Sequence, residues 1–231
     1  MLYYSPMSRQ EIITQLAARL AALQRTHPVR VAITGIDAAG KTTLADELAQ
    51  ALPSAGRTVI RASIDGFQRP RAERYRRGNL SPLGYYEDSF DYAALKAALL
   101  LPLGPGGNRC YRHAVFDVLN DTPLTLPPEE APANALLLVD GVFLLRPEIA
   151  DLWEYVIFVK IDFETGLQRA LQRDLPVFGS GNIIQQRYQQ RYYPGQRLYL
   201  EQARPEEQAN AIVDNNDVLF PKVIFYDEER S

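Results

Sequence analysis

The chain has 231 residues, 46% of them hydrophobic and 23% charged, which is enough for one sizeable core carrying an elaborated lid. Its formal net charge of −3 excludes a broad basic surface for nucleic acid or an anionic membrane, whereas local basic clusters would suit a small anionic ligand. The single Cys110 excludes an intramolecular disulfide and fits a reducing, cytoplasmic setting; no apolar run approaches the roughly 20 residues of a membrane span or the pattern of an export signal.

Residues 8–25 open on Ser8-Arg9-Gln10-Glu11, a capping-box spacing, and place Ile12, Ile13, Leu16, Leu20 and Leu23 at helical intervals. An amphipathic helix is expected there, ended by Pro28. Residues 29–33 form a short β-branched apolar run of the kind buried on both faces of a parallel sheet. A helix over 41–52, a strand over 58–64 and a helix over 91–101, stopped by Pro102, continue a βαβ rhythm. Strands over 135–139 and 155–161, with a helix over 164–173, complete it.

Two regions break that rhythm. Residues 102–132, rich in Pro and Gly, hold the alternating stretch 110–118 and then 123–126, expected to form a small antiparallel insert able to cover a ligand. Residues 175–204 are dense in Arg, Gln and Tyr without a clear apolar face, and suit a mobile lid over an anionic site. There is no internal repeat, and the whole chain, 1–231, reads as a single domain.

Between the first strand and the next helix stands Gly35-Ile36-Asp37-Ala38-Ala39-Gly40-Lys41-Thr42-Thr43, a complete G-x-x-x-x-G-K-[ST] phosphate loop in its proper strand-to-helix context. Gly35 and Gly40 permit the tight turn, and Asp37, Ala38, Ala39 and Thr43 complete the cradle. Backbone N–H groups and the helix N-terminus can then face the phosphates of ATP, Lys41 adds a cation, and the Thr42 hydroxyl can ligate magnesium. The predicted fold is therefore α/β, a P-loop NTPase three-layer sandwich with a mainly parallel sheet.

Other residues extend this site. Asp140 closes the run Ala135-Leu136-Leu137-Leu138-Val139 and reads either as a second magnesium ligand or as a turn-forming Asp before Gly141. Asp65, ahead of Gly66-Phe67, sits at the carboxyl edge of the sheet, where it is either a turn residue or a base for an attacking hydroxyl. Arg169 and Arg173 lie four apart on one helix face, suited either to solvent or to a transferring phosphoryl group; Arg187, Arg191 and Arg197 carry less weight. Phe67, Tyr85, Tyr86 and Phe116 are suited to stacking on a planar substrate or to core packing. Neither His27 nor His113 has neighbours at metal-ligand spacing.

Taken in order, the loop 35–43, Ser63-Ile64-Asp65-Gly66-Phe67, Phe90-Asp91, Val115-Phe116-Asp117, Val139-Asp140-Gly141, Arg169 and Arg173-Asp174 resemble the uridine kinase and phosphoribulokinase group of P-loop kinases. The resemblance covers most of the chain. It implies phosphate transfer from ATP with magnesium, Asp65 as base, Lys41 and Thr42 on phosphate and metal, and Arg173 in the lid. Where uridine kinases carry Asn-Phe-Asp-His-Pro, this chain has Leu83-Gly84-Tyr85-Tyr86-Glu87, with Asp88 offset as the stand-in for a ribose-binding Asp. The nucleobase-reading His and Arg after the Tyr-Asp-Phe segment are replaced by Asn120, Asp121, Thr122 and Pro123.

The functional expectation is a kinase acting on a small-molecule alcohol, first a nucleoside such as uridine or cytidine at its 5′-hydroxyl, next pantothenate, a sugar or nicotinamide riboside. No nucleic acid or membrane partner is implied, and a homo-oligomer is compatible with this reading. A nucleotide-dependent switch is disfavoured because no Asn-Lys-x-Asp guanine-reading motif occurs. A binding module without catalysis would have had no need to keep Asp65, Lys41 and Asp140.

Overall fold

The computed structural model describes residues 7–226; residues 1–6 and 227–231 of the expected domain lie outside them. Helix α1 (Arg9–Ala22) begins at the predicted capping box, Ser8 and Glu11 satisfying each other's backbone N–H groups. Strand β1 (Val29–Gly35) is buried at every residue and runs at the centre of the main sheet. Helix α2 (Lys41–Ala51) leaves the phosphate loop, and strand β2 (Val59–Ser63) follows. Later come β3 (Leu136–Gly141), β4 (Tyr155–Lys160), β5 (Ala211–Asp214) and β6 (Lys222–Phe225).

The strand order is β6-β5-β4-β1-β3-β2, parallel throughout except for β6, which pairs antiparallel to β5 at the edge. This agrees with the predicted mainly parallel α/β sandwich. Alternate residues of a strand serve different cores: Val31 and Ile33 pack with Ile12, Leu16, Leu44 and Leu48 on one face, while Ala32 packs with the aromatic and leucine-rich layer on the other. That division is why the strands read as unbroken apolar runs. Arg30, 3% exposed on β1, is held by Glu154, whose Oε1 lies 2.6 Å from Nη2, and it donates to the Leu100 carbonyl at 3.0 Å.

Several expectations shift. The strand over 58–64 stops at Ser63, and Ile64–Phe67 turn as a 3₁₀ helix because the Ser63 hydroxyl accepts from the Asp65 N–H at 3.3 Å. The helix over 91–101 is capped by Asp91, whose side chain accepts from the Ala94 N–H, then widens to π-type turns over Lys96–Leu100. Helix α3 (Pro82–Asp88), and β5 with β6, had no clear sequence signal. The insert is antiparallel as predicted but minimal: Cys110–Tyr111 pair with Glu129–Glu130, and Phe116–Asp117 with Thr122–Pro123.

The expectation that residues 175–204 lack an apolar face needs correction. Leu175, Val177 and Ile183 are exposed, but beyond them the chain passes through π-type turns at Tyr188–Tyr192 into helix α5 (Tyr193–Ala203), which buries Tyr188, Arg191, Tyr193, Gln196, Tyr199 and Ala203. The stripe is written in tyrosine, whose ring packs while its hydroxyl finds a partner, so a scan for aliphatic residues misses it. The remaining major helix, α4 (Phe163–Arg173), matches the predicted span.

Candidate active site

The phosphate loop is built by close backbone approach. A Cβ on Gly35 would collide with the Val159 carbonyl oxygen, and Gly40 has φ of +91° with the Asn215 amide nitrogen 2.6 Å from where its Cβ would stand. Asn215, just beyond β5, spans the loop: its Nδ2 donates to the Ala39 carbonyl at 2.7 Å, and its Oδ1 accepts from Arg9 at 3.1 Å. Ala38 sits at a φ of 59°, rare for a residue with a side chain. Gly40→Ala is therefore expected to cost about 1–2 kcal/mol of stability for its backbone conformation and to displace Asn215, lowering ATP affinity; thermal unfolding and ATP titration check this.

Lys41 opens α2 and is 8% exposed, its Nζ donating to the Ile36 carbonyl at 2.8 Å. Burial pulls its pKa below the ordinary lysine value, while the nearby Asp37, Asp140 and Asp65 favour the charged form. The Thr42 hydroxyl donates to Asp140 Oδ2 at 2.6 Å, and Asp140 Oδ1 accepts from Arg61 at 3.0 Å. Asp140 thus arrives from β3 beside Thr42, as its place at the end of a buried strand predicted. Hydroxyl and carboxylate oxygens are the donor set of a hard divalent cation, and a buried ammonium answering only to a backbone carbonyl suits a phosphate. Both observations fit ATP with magnesium.

Asp65 opens into the same cleft from the turn after β2. The insert fixes that turn: the Val115 N–H donates to the Gly66 carbonyl at 2.9 Å, and Ala114 packs so closely that a Cβ on Gly66 would lie 2.7 Å from its own. Gln68 Nε2 donates to Asp65 Oδ1 at 2.8 Å and Arg74 Nη1 donates to Gln68 Oε1 at 2.7 Å. The protein surrounding this recess raises the Asp65 pKa, the Gln68 bond pulls it down, and Asp37 and Asp140 add to the rise.

The cleft of about 480 Å³ is lined by Asp37, Lys41, Thr42, Asp65, Asp140 and Arg173, and extends past Tyr85 to Arg74, Tyr75 and Arg191. Tyr85 donates to Asp37 Oδ2 at 2.9 Å, and Gln196 Nε2 donates to the same oxygen at 2.6 Å, so α3 and α5 both brace the phosphate loop. Burial and the Asp37 charge hold the Tyr85 hydroxyl well above its ordinary pKa, as a donor. Arg173 borders both this cleft and a neighbouring one lined by Arg9, Gly40, Thr43 and Arg169. Asp174 accepts from Arg173 Nε at 2.6 Å and from Tyr188 at 3.1 Å, which anchors the guanidinium and raises its pKa. Arg169 donates to the carbonyls of Asn215 and Asn216 at 2.8 and 3.0 Å, a hold on the loop after β5.

Four expected substrate residues are not in the cleft. Phe67 is fully buried between the turn and the aromatic core, because its place after Gly66 points it under the sheet edge. Tyr86 stacks edge-on against Phe143 and donates to Gln202, leaving Tyr85 as the cleft residue of that pair, since neighbours on a helix point about 100° apart. Phe116 is buried in the insert hairpin opposite Pro123. Asp88 is 3% exposed and pairs with Arg76 and Arg77; burial opposes its ionisation, but those two cations hold its pKa below the ordinary carboxylate value. Sequence reading missed Gln68, Arg74, Tyr75, Tyr188 and Asn215; only the density of Arg and Tyr around them was a signal.

No protein-family model matches the chain. It is 27% identical over 154 residues to a uridine kinase from Leuconostoc citreum, an alignment taking in 64% of this chain and 69% of that protein. Its fold matches that of a possible uridine kinase from Bacillus stearothermophilus with a TM-score of 0.70 at 24% identity, covering 88% of this chain and 97% of the other. A D-glycerate 3-kinase from Cryptococcus neoformans matches with a TM-score of 0.57 at 11% identity over 93% of this chain and 99% of its own. The chain is thus similar to uridine kinase-like P-loop kinases in sequence and in fold.

Proposed function

We propose that the protein transfers the γ-phosphate of ATP to a hydroxyl of a small-molecule alcohol, with Asp65 as the base. The observation that carries this reading is one cleft in which Asp65 faces Lys41, Thr42 and Asp140 and which continues into a recess of acceptor size. Thr42 and Asp140 would hold magnesium, which supplies charge neutralisation at the transferring phosphoryl group. Lys41 would bind phosphate oxygens, Arg173 would meet the charge from the lid side, and Asp65 would take the hydroxyl proton as the oxygen attacks. Tyr85 and Gln196 hold Asp37 and so the loop's shape.

A nucleoside acceptor, uridine or cytidine at the 5′-hydroxyl, is supported by the named sequence relative. The same chemistry on another alcohol is the second reading: of the four expected stacking residues Tyr85 alone lines the cleft, although Tyr75, Tyr188 and Tyr192 line it as well. ADP release with ATP and a panel of alcohols tests the activity. The nucleoside reading fails if uridine and cytidine do not raise ADP formation above the rate without acceptor.

The base must be ionised to act, so turnover is present above the Asp65 pKa and lost as pH falls through it. With that pKa raised, the loss begins at a higher pH than for an ordinary carboxylate. Gln68→Leu removes the bond that favours the ionised form. Its acid limb is expected to move further up in pH with the alkaline plateau retained, read from kcat/KM against pH; an unmoved limb counts against Asp65 as the titrating base.

A further inference from the structure

Arg191 heads the largest fully buried side chains of the described residues, 2% exposed. Its guanidinium lies over the rings of Tyr75 and Tyr85, with centroids at 4.6 and 5.5 Å. Nη1 donates to the Ser81 carbonyl at 3.1 Å and to the Gly78 carbonyl at 3.4 Å, and Nη2 to the Arg74 carbonyl at 3.2 Å, while Nε is buried without an acceptor. Among the described residues no carboxylate lies within ion-pair distance of it; burial pushes its pKa down, Tyr75, Tyr192 and Tyr85 push back, and Arg187 adds to the fall. Arg74, 13% exposed at its side chain, likewise buries an Nε without an acceptor, although its other nitrogens reach Gln68 Oε1 at 2.7 Å and Asp121 Oδ1 at 3.2 Å.

Both arginines line the cleft that holds Asp65, at the end away from the phosphate loop. Arg191 is a buried guanidinium without a carboxylate partner, which is costly, and Arg74, although paired with Asp121, leaves its Nε unused as Arg191 does; two such donors on residues lining one recess are the complement of an anion's oxygens. The insert supports this arrangement, since Asp121 accepts from the Arg71 N–H at 2.8 Å as well as from Arg74 and so fixes the turn that presents Arg74. Through Gln68 the same arginine is linked to Asp65, which ties the filled recess to the position of the base.

We propose that the alcohol acceptor carries a negatively charged group, a carboxylate or a phosphate, received by Arg74 and Arg191 while its hydroxyl faces Asp65. This rests on the kinase reading above but not on a nucleoside acceptor. Tyr75 and Tyr85 wall the recess, so the group is held by guanidinium donors rather than by solvent. Were Arg191 only a clamp on the carbonyls of Ser81 and Arg74, its replacement would lower stability without changing any preference for charge.

Matched pairs test this: D-glycerate with glycerol, D-gluconate with glucitol and ribose 5-phosphate with ribose, together with uridine. Each is measured by ADP formation with ATP and by titration into protein loaded with a non-hydrolysable ATP analogue. At least one charged member is expected to bind or react on the order of 30-fold better than its neutral partner and than uridine. The carboxylate and phosphate pairs separate the two anions. Arg74→Gln and Arg191→Lys should each cut that ratio severalfold or more while leaving affinity for the ATP analogue unchanged. The proposal is overturned if no charged member binds better than its neutral partner, or if both variants keep the full preference. Absence of turnover with every alcohol, with the binding preference present, instead counts against the kinase reading.

Discussion

Asp65→Asn is expected to lower turnover by about 100-fold or more while leaving ATP affinity within about twofold, the loss typical when a positioned base is removed. Asparagine has nearly the same shape, so the Ser63 cap on the backbone at residue 65 and the bond from Gln68 to Oδ1 can both persist. What disappears is the ability to accept a proton from the attacking hydroxyl. Steady-state turnover with saturating acceptor, paired with ATP titration, reads both quantities. The acid limb assigned to Asp65 should vanish from the residual activity. Unchanged turnover would remove Asp65 from the chemistry and leave it as the turn residue that Asp-Gly often marks.

Lys41→Met is expected to lower turnover by about 100-fold or more without lowering the melting temperature of the ligand-free protein. The ammonium is buried against one backbone carbonyl, and burial opposes its charge. Its lowered pKa means that the folded site disfavours the charge even with Asp37, Asp140 and Asp65 nearby, so an uncharged chain of similar volume escapes that penalty. Methionine fills the same space beside Asp37 but offers nothing to a phosphate oxygen. Removing a single preorganised donor from developing charge commonly costs about two to three powers of ten in rate. Thermal unfolding and ADP release on the same preparation give the two readings; a large drop in melting temperature would mean that Lys41 holds the loop together rather than serving its ligand.

The two arginines of α4, Arg169 and Arg173, differ in how the fold holds them. Arg173 is anchored through Asp174 and Tyr188 at a point that borders both clefts, the position from which the proposed reaction would have it meet the phosphoryl charge. Arg169, expected beside it on the same helix face, lines the cleft behind the phosphate loop together with it and also binds the carbonyls of Asn215 and Asn216. Its contribution is to the wall behind the loop, through the asparagine that closes on Ala39.

The sequence by itself determined the phosphate loop, the mainly parallel sheet of apolar strands, and the carboxylates Asp140 at a strand end and Asp65 in the turn just beyond one. These features are local: glycine spacing permits a turn, and a strand buried on both faces must read as an unbroken apolar run. Only the tertiary structure decided the acceptor end. Phe67 and Tyr86 differ from Tyr85 not in composition but in the direction the chain points them once α3 packs on α5. Arg74 and Arg191 lie more than a hundred residues apart along the chain, and what brings them into one recess is tyrosine-rich packing that carries no aliphatic periodicity. The missing counter-ion of Arg191 and the unused Nε of each are visible only after every neighbour has been placed, because a charge in a sequence has no burial until the fold supplies it.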